Sequence, residues 1–272
     1  MNIDYIVNQI KLKKSFLCVG LDPDLDLIPH HLLSNEDPIF EFNKHIIDAT
    51  SDLCVAYKPN LAFYEKLGPS GLLSLQKTLD YISDDHFVIS DAKRSDIFNS
   101  AKMYADTFFN YFNFDAVTVS PYMGFDSISP FLLEDKFVII LAVTSNPSAK
   151  DLQSLITESG DPVYIELVKK AKSWSTDKNI MFVVGATCPN EMRLIRDLAP
   201  DHFFLVPGVG AQGGDLQLVV DSGFNKNCGL LVNVSRAIIY ADNGANFSNF
   251  ARKKSQEIQS EMEHILIKKS FI

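Results

Sequence analysis

Eight short apolar runs recur along this chain of 272 residues, at 16–21, 53–58, 86–91, 115–120, 137–143, 179–185, 202–207 and 229–234. Most are continuously apolar rather than alternating, the pattern of parallel strands covered on both faces. Helical patterns with suitable start signals lie between them. Asp37-Pro38 opens a helix to Thr50, with proline suited to a first helical position, and Ser95 is placed to cap one running to about Tyr111. Others are expected at 69–82, 127–133, 162–175, 189–198, 214–221 and 246–268. Eight β/α units without a break in composition predict an α/β chain folded as one closed (β/α)8 barrel over 1–272, with an open doubly wound sheet as the alternative.

Composition narrows the partners. Lys and Arg total 25 against 34 Asp and Glu, a formal charge of −9. That balance argues against a nucleic-acid surface, so an anionic ligand would need a local cluster of donors. The hydrophobic share of 46% suffices for a large core. Cys18, Cys54, Cys188 and Cys228 form no Cys-x-x-Cys pair and read as reduced structural thiols. The six histidines show neither metal-ligand spacing nor a nucleophile set, so no metal site is expected. Residues 1–14 lack the apolar core of a signal peptide, and no apolar stretch nears the roughly 18 residues of a membrane helix. A soluble cytoplasmic protein is the expectation.

The longest irregular stretches, 22–35, 146–160 and 207–214, all follow strands, on the face where barrels carry their sites. The densest chemistry is Ser90-Asp91-Ala92-Lys93-Arg94-Ser95-Asp96-Ile97-Phe98-Asn99-Ser100, directly after Phe87-Val88-Ile89. Charges at a buried strand end are costly unless they pair or react. Strand alternation predicts Asp91 and Lys93 on one side, with Asp96 on the turn beyond. Lys58 ends the neighbouring strand, giving a row Lys58, Asp91, Lys93, Asp96 in which each charge offsets the next; a structural ion-pair network is the plainer reading. Val206-Pro207-Gly208-Val209-Gly210-Ala211-Gln212-Gly213-Gly214 follows strand seven, and Ser235-Arg236 follows strand eight. Glycine amides and a guanidinium together suit a phosphate. Asp22, after strand one, could accept sugar hydroxyls or make a loop turn. Thr144-Ser145-Asn146-Pro147 could read a polar heterocycle or be a plain turn.

With these motifs in place, the chain resembles the orotidine 5′-phosphate decarboxylase family in its longer bacterial-type branch. The resemblance runs from about Phe16 to Ala241. It rests on Gly-Leu-Asp-Pro at 20–23, Lys-Pro-Asn at 58–60, the Asp-Ala-Lys-Arg segment, Thr-Ser-Asn-Pro at 144–147, the glycine loop and Ser-Arg-Ala-Ile at 235–238. It implies a barrel of the ribulose-phosphate-binding type and the cofactor-free decarboxylation of orotidine 5′-monophosphate. In that reading Lys58, Asp91, Lys93 and Asp96 are catalytic and Lys93 delivers the proton. Asp22 contacts the ribose, Ser145 the pyrimidine edge, and Gln212 and Arg236 the phosphate, with Asn60, Thr144, Pro207, Gly214 and Ser235 as further substrate-binding positions. A homodimer is implied, with Asp96, Ile97 and Ser100 reaching the partner's site. Ser95 and Ser148 stand where the family usually has glycine, which would strain the backbone if either position needs a positive φ. Rival readings are a magnesium-dependent keto-sugar-phosphate decarboxylase or aldolase, a Schiff-base aldolase using Lys58 or Lys93, and a non-catalytic nucleotide-binding protein.

Overall fold

The computed structural model describes residues 1–210 and 213–272. Eight strands, β1 (Leu17–Leu21), β2 (Ala56–Pro59), β3 (Phe87–Arg94), β4 (Ala116–Val119), β5 (Phe137–Val143), β6 (Ile180–Val184), β7 (Phe204–Pro207) and β8 (Leu230–Val234), close a barrel in chain order. The recorded pairings are parallel, Cys18 opposite Ala56 and Ala116 opposite Phe137 among them. Strands β1, β2, β4, β6 and β8 are buried at every position, which explains why their runs are apolar without alternation.

The helices are α1 (Ile3–Lys13), α2 (Pro38–Thr50), α3 (Leu61–Glu65), α4 (Pro69–Tyr81), α5 (Phe98–Asp106), α6 (Phe125–Ile128), α7 (Val163–Trp174), α8 (Pro189–Leu198), α9 (Leu216–Gly223), α10 (Arg236–Ile239) and α11 (Phe247–Lys268). Asp37 caps α2 by accepting the Phe40 N–H at 3.1 Å, as the Asp-Pro start predicts. Ser95 does not cap α5: the cap position is Ile97, without a side-chain bond, and Asp96 Oδ1 takes the Ile97 N–H at 2.7 Å. Strand β3 runs to Arg94 and α5 starts only at Phe98, which leaves Ser95 two residues short of the cap position. The predicted helix to Tyr111 ends instead in a π turn, Thr107–Tyr111. Helix α9 starts two residues late because Asp215 accepts the Leu218 N–H and becomes its cap. The run at 53–55 is buried but turns before β2 begins, so its apolarity marks core rather than strand. Helix α1 went unpredicted; it buries only Ile6 and Ile10, one turn apart.

Two compact units make up the chain, Asp4–Ala92 with Asn233–Ile272 and Met1–Ile3 with Lys93–Val232. In the first, α11 packs on α2 through stacked Phe42 and Phe247, ring centroids 5.4 Å apart. Arg252 clamps Asp52 with two bonds of 2.7 and 2.8 Å. In the second, the 189–232 region is built around Arg196, whose buried guanidinium lies 3.7 Å from the Phe204 ring centroid.

His202 sits nearby, 6% exposed, with neither ring nitrogen hydrogen-bonded. Burial pushes its pKa down to about 4; Lys172 and Arg196 push the same way, while Asp177 and Asp201 oppose them. The neutral ring is therefore the native form, and the unfolded chain takes the proton first as pH falls. The His202 contribution is complete above about pH 6.5 and is lost as pH falls toward 4. Between pH 7.5 and 5 the loss should be about 2 kcal/mol. Urea unfolding of the wild type and His202→Phe at both pH values measures it. Equal pH dependence in the two proteins would refute this account.

Candidate active site at the strand ends

The first unit contributes a compact charged group. Lys58, on β2, donates to Asp91 Oδ2 at 2.6 Å, and both residues are buried. Burial acts against the ammonium, but the charges of Asp91 and Asp22 overcome it and hold Lys58 firmly protonated. An isolated bridge between Asn60 and Asp91 carries the β2–β3 pairing to these strand ends. The predicted Lys58–Asp91 adjacency is thus present, and removing either partner would strand a buried charge.

Asp22 follows β1. Its Oδ2 accepts the Ser235 hydroxyl at 2.7 Å, while its buried Oδ1 has no hydrogen-bond partner. Gly20 makes this approach possible: a Cβ there would lie 2.6 Å from Ser235 Cβ. Asn60 spends its Oδ1 as the cap of α3, on the Ala62 N–H at 3.2 Å. Arg236 opens α10, exposed, and among the described residues no hydrogen bond or ion pair engages its guanidinium.

The second unit carries Lys93, with a φ of 50°. A non-glycine residue there is strained by on the order of 1 kcal/mol. Neighbouring bonds fix it: the Lys93 N–H donates to Thr118 Oγ1 at 2.9 Å, and the Arg94 carbonyl accepts the Ser120 N–H at 2.9 Å. The left-handed backbone at Lys93 departs from the extended strand that alternation assumes. Asp91 is buried, whereas Lys93 is exposed. Asp96, Ile97 and Ser100 lie on the loop and first turn of α5, Ile97 and Ser100 being exposed. Neither Ser95 nor Ser148 has a positive φ, so the feared strain is absent at both.

After β5, Thr144 is tied to Gln153 twice, through its N–H to Oε1 at 2.9 Å and its Oγ1 from Nε2 at 2.8 Å. Its hydroxyl also reaches Asn146 Oδ1 at 2.6 Å. Ser145 lies against Gly185, where an added Cβ would be 3.0 Å from Ser145 Cβ. After β7, beyond Pro207, Gly208, Gly210 and Gly213 all have positive φ. Gly214 has no room for a side chain, since a Cβ would come within 2.5 Å of Ala186 Cβ. Gln212 lies outside the described residues.

Sequence reasoning missed Gln153, Thr118, Tyr64 and Tyr240, which orient these groups. Gln153 sits in an irregular stretch and Tyr64 in a five-residue helix. Neither had a periodic signal that could have exposed it.

This architecture defines the molecule as a (β/α)8 barrel whose charged and glycine-rich segments follow its strands. The family model described as "Orotidine 5'-phosphate decarboxylase / HUMPS family" matches residues 15–247, and the chain belongs to that family. Orotidine 5′-phosphate decarboxylase of Flavobacterium johnsoniae is 53% identical over 98% of each chain. That of Phocaeicola vulgatus is 52% identical over 98% of this chain and 99% of its own. Among solved structures, OMP decarboxylase of Leishmania donovani superposes with a TM-score of 0.85 at 35% identity, covering 97% of this chain and 99% of its own.

Proposed function

We propose that this protein decarboxylates orotidine 5′-monophosphate to uridine 5′-monophosphate and CO2 as one barrel domain, without metal or cofactor. The observation that carries the reading is the buried Lys58–Asp91 pair two residues before Lys93, in a chain half identical to decarboxylases over nearly its full length. In this mechanism the ring C6–carboxylate bond breaks and its electron pair stays on C6, in the ring plane, where no carbonyl delocalises it. Lys93 offers its ammonium to that charge and then transfers a proton to C6, closing the balance. Asp91, held by Lys58, faces the leaving carboxylate and Asp96 completes the row. Asp22 contacts the ribose, Ser145 the pyrimidine edge, and Gln212 and Arg236 the phosphate. Asn60, Thr144, Pro207, Gly214 and Ser235 are further substrate-binding positions. Phosphate held away from the reacting carbon supplies binding energy that organises the site. Reactions this slow without a catalyst need roughly 20 kcal/mol of stabilisation, which no single ion pair provides.

The reading includes a homodimer to which Asp96, Ile97 and Ser100 contribute across the interface. Its support is the apolar exposure around them, Ile97 at 66%, Phe98 at 69% and Met103 at 57%. A cytoplasmic location fits a pyrimidine nucleotide substrate, and no helix of the described residues is long and apolar enough to cross a membrane. The relatives' printed activities disfavour the sugar-phosphate alternatives.

The test is the ultraviolet absorbance of orotidine 5′-monophosphate mixed with purified protein and excess chelator. Turnover should proceed unchanged by the chelator. Turnover that needs restored magnesium, or tight uridine monophosphate binding without turnover, would reject the proposal. Sedimentation of the same sample tests the dimer, since full activity in a 30.4 kDa monomer would exclude it.

A further inference from the structure

The loop carrying Asp22 is clasped by a phenol that none of the proposed chemistry uses. Tyr240 ends the short helix α10 that Arg236 begins, its N–H bonding back to the Arg236 carbonyl at 3.2 Å. Its hydroxyl donates to the Asp22 carbonyl at 2.9 Å and accepts the Asp24 N–H at 2.7 Å. The ring stacks on Phe42, with centroids 5.7 Å apart. Burial raises the phenol's pKa, so it stays a donor at any ordinary pH. A second phenol, Tyr64, donates to the preceding carbonyl, Leu21, at 3.1 Å and is itself held by Asn43. Two successive main-chain carbonyls are therefore pinned where β1 gives way to the loop. The carboxylate between these pins keeps one oxygen on Ser235 and the other, Oδ1, buried with no partner. A buried acceptor kept unpaired is costly unless a ligand donor completes it.

We infer that Tyr240 is a positioning residue: its hydroxyl fixes the Asp22 carboxylate relative to the helix that Arg236 begins, so that the vacant Oδ1 meets a ribose hydroxyl of the nucleotide. This deepens the reading of Asp22 as a sugar ligand and rests on it. Asp22 receives the hydroxyl hydrogen, and Tyr240 touches no substrate atom. A site built around a specific hydroxyl discriminates steeply against ligands that lack it, because its own acceptor then stays unpaired. The signature of Tyr240 is therefore selectivity for the sugar.

The experiment compares the affinity of uridine 5′-monophosphate with that of its 2′,3′-dideoxy analogue, by calorimetry, in the wild type, Tyr240→Phe and Phe42→Leu. The wild type should prefer the hydroxylated nucleotide by at least about 100-fold. Tyr240→Phe keeps the ring and should reduce that preference about tenfold, through weaker binding of uridine 5′-monophosphate alone. Phe42→Leu disturbs the ring stack but not the hydroxyl, and should leave the preference unchanged even if both ligands bind more weakly. A preference unaltered in Tyr240→Phe overturns the inference while sparing Asp22. A wild type that does not distinguish the two ligands overturns the sugar role of Asp22 and the inference with it.

Discussion

Lys93→Ala is expected to slow turnover of orotidine 5′-monophosphate by at least about 10,000-fold, with uridine 5′-monophosphate still bound. The size follows from removing two contributions at once. A positioned proton donor is worth about 100- to 10,000-fold, and a charge aimed at a developing anion about 100- to 1,000-fold. The fold should survive, because Lys93 is exposed and its anchoring bonds come from the backbone around it, to Thr118 and Ser120. Alanine retains the strain of a φ of 50°, whereas glycine takes that conformation freely. Lys93→Gly should therefore be as inactive as Lys93→Ala and more stable by on the order of 1 kcal/mol. Stopped absorbance assays with single-turnover controls, beside urea unfolding of both variants, decide the matter. Activity within tenfold of the wild type in either variant would move the proton donor elsewhere.

The strain at Lys93 also shows where sequence reasoning ends. Hydrophobic patterning places the eight strands because burial on both faces leaves a direct imprint on composition, and β5 matches its predicted bounds of 137–143 to the residue. The charged residues were legible for the opposite reason: Lys58 and Asp91 violate the burial rule, and their chain positions at adjacent strand ends leave each other as the natural partner. Lys93 obeys neither rule. Its backbone conformation is imposed by bonds to β4, some 25 residues away, and no local pattern encodes that. The same holds for Gln153 on Thr144 and for Tyr240 on Asp22, side chains recruited by folding rather than announced by spacing. Ser95 failed as a cap because β3 runs to Arg94 and α5 starts only at Phe98, so the serine lies two residues ahead of the cap position. Period and burial reveal scaffold and charge, while the supporting hydrogen bonds depend on which loops the closed strand order brings together.

Arg196 is the most consequential of those recruited residues, and Arg196→Met should destabilise the protein by about 3–5 kcal/mol. Its guanidinium donates to the carbonyls of Gly223 at 2.8 Å, Ala199 at 3.0 Å, Pro200 at 3.4 Å, His202 at 2.6 Å and Gly229 at 3.0 Å. None of these partners is a carboxylate. The cation is instead stabilised by the negative ends of α8 and α9 and by the Phe204 face. Burial lowers its pKa to about 10, which still leaves it charged at neutral pH. Second donors serve three of the oxygens, from the His202 N–H, Asn225 Nδ2 and the Phe204 N–H. The carbonyls of Gly223 and His202 are left to the guanidinium, so methionine, which fills the stem's volume, would leave both buried without a donor. For a chain of this length the melting temperature should fall by about 10 °C. Arg196→Lys keeps the charge but cannot span five oxygens from one ammonium, and should recover less than half of the loss. Thermal melts of the three proteins at pH 7.5 give the comparison. If Arg196→Met costs less than about 1 kcal/mol, water replaces the guanidinium and the cluster is not what ties the ends of α8 and α9 to the starts of β7 and β8.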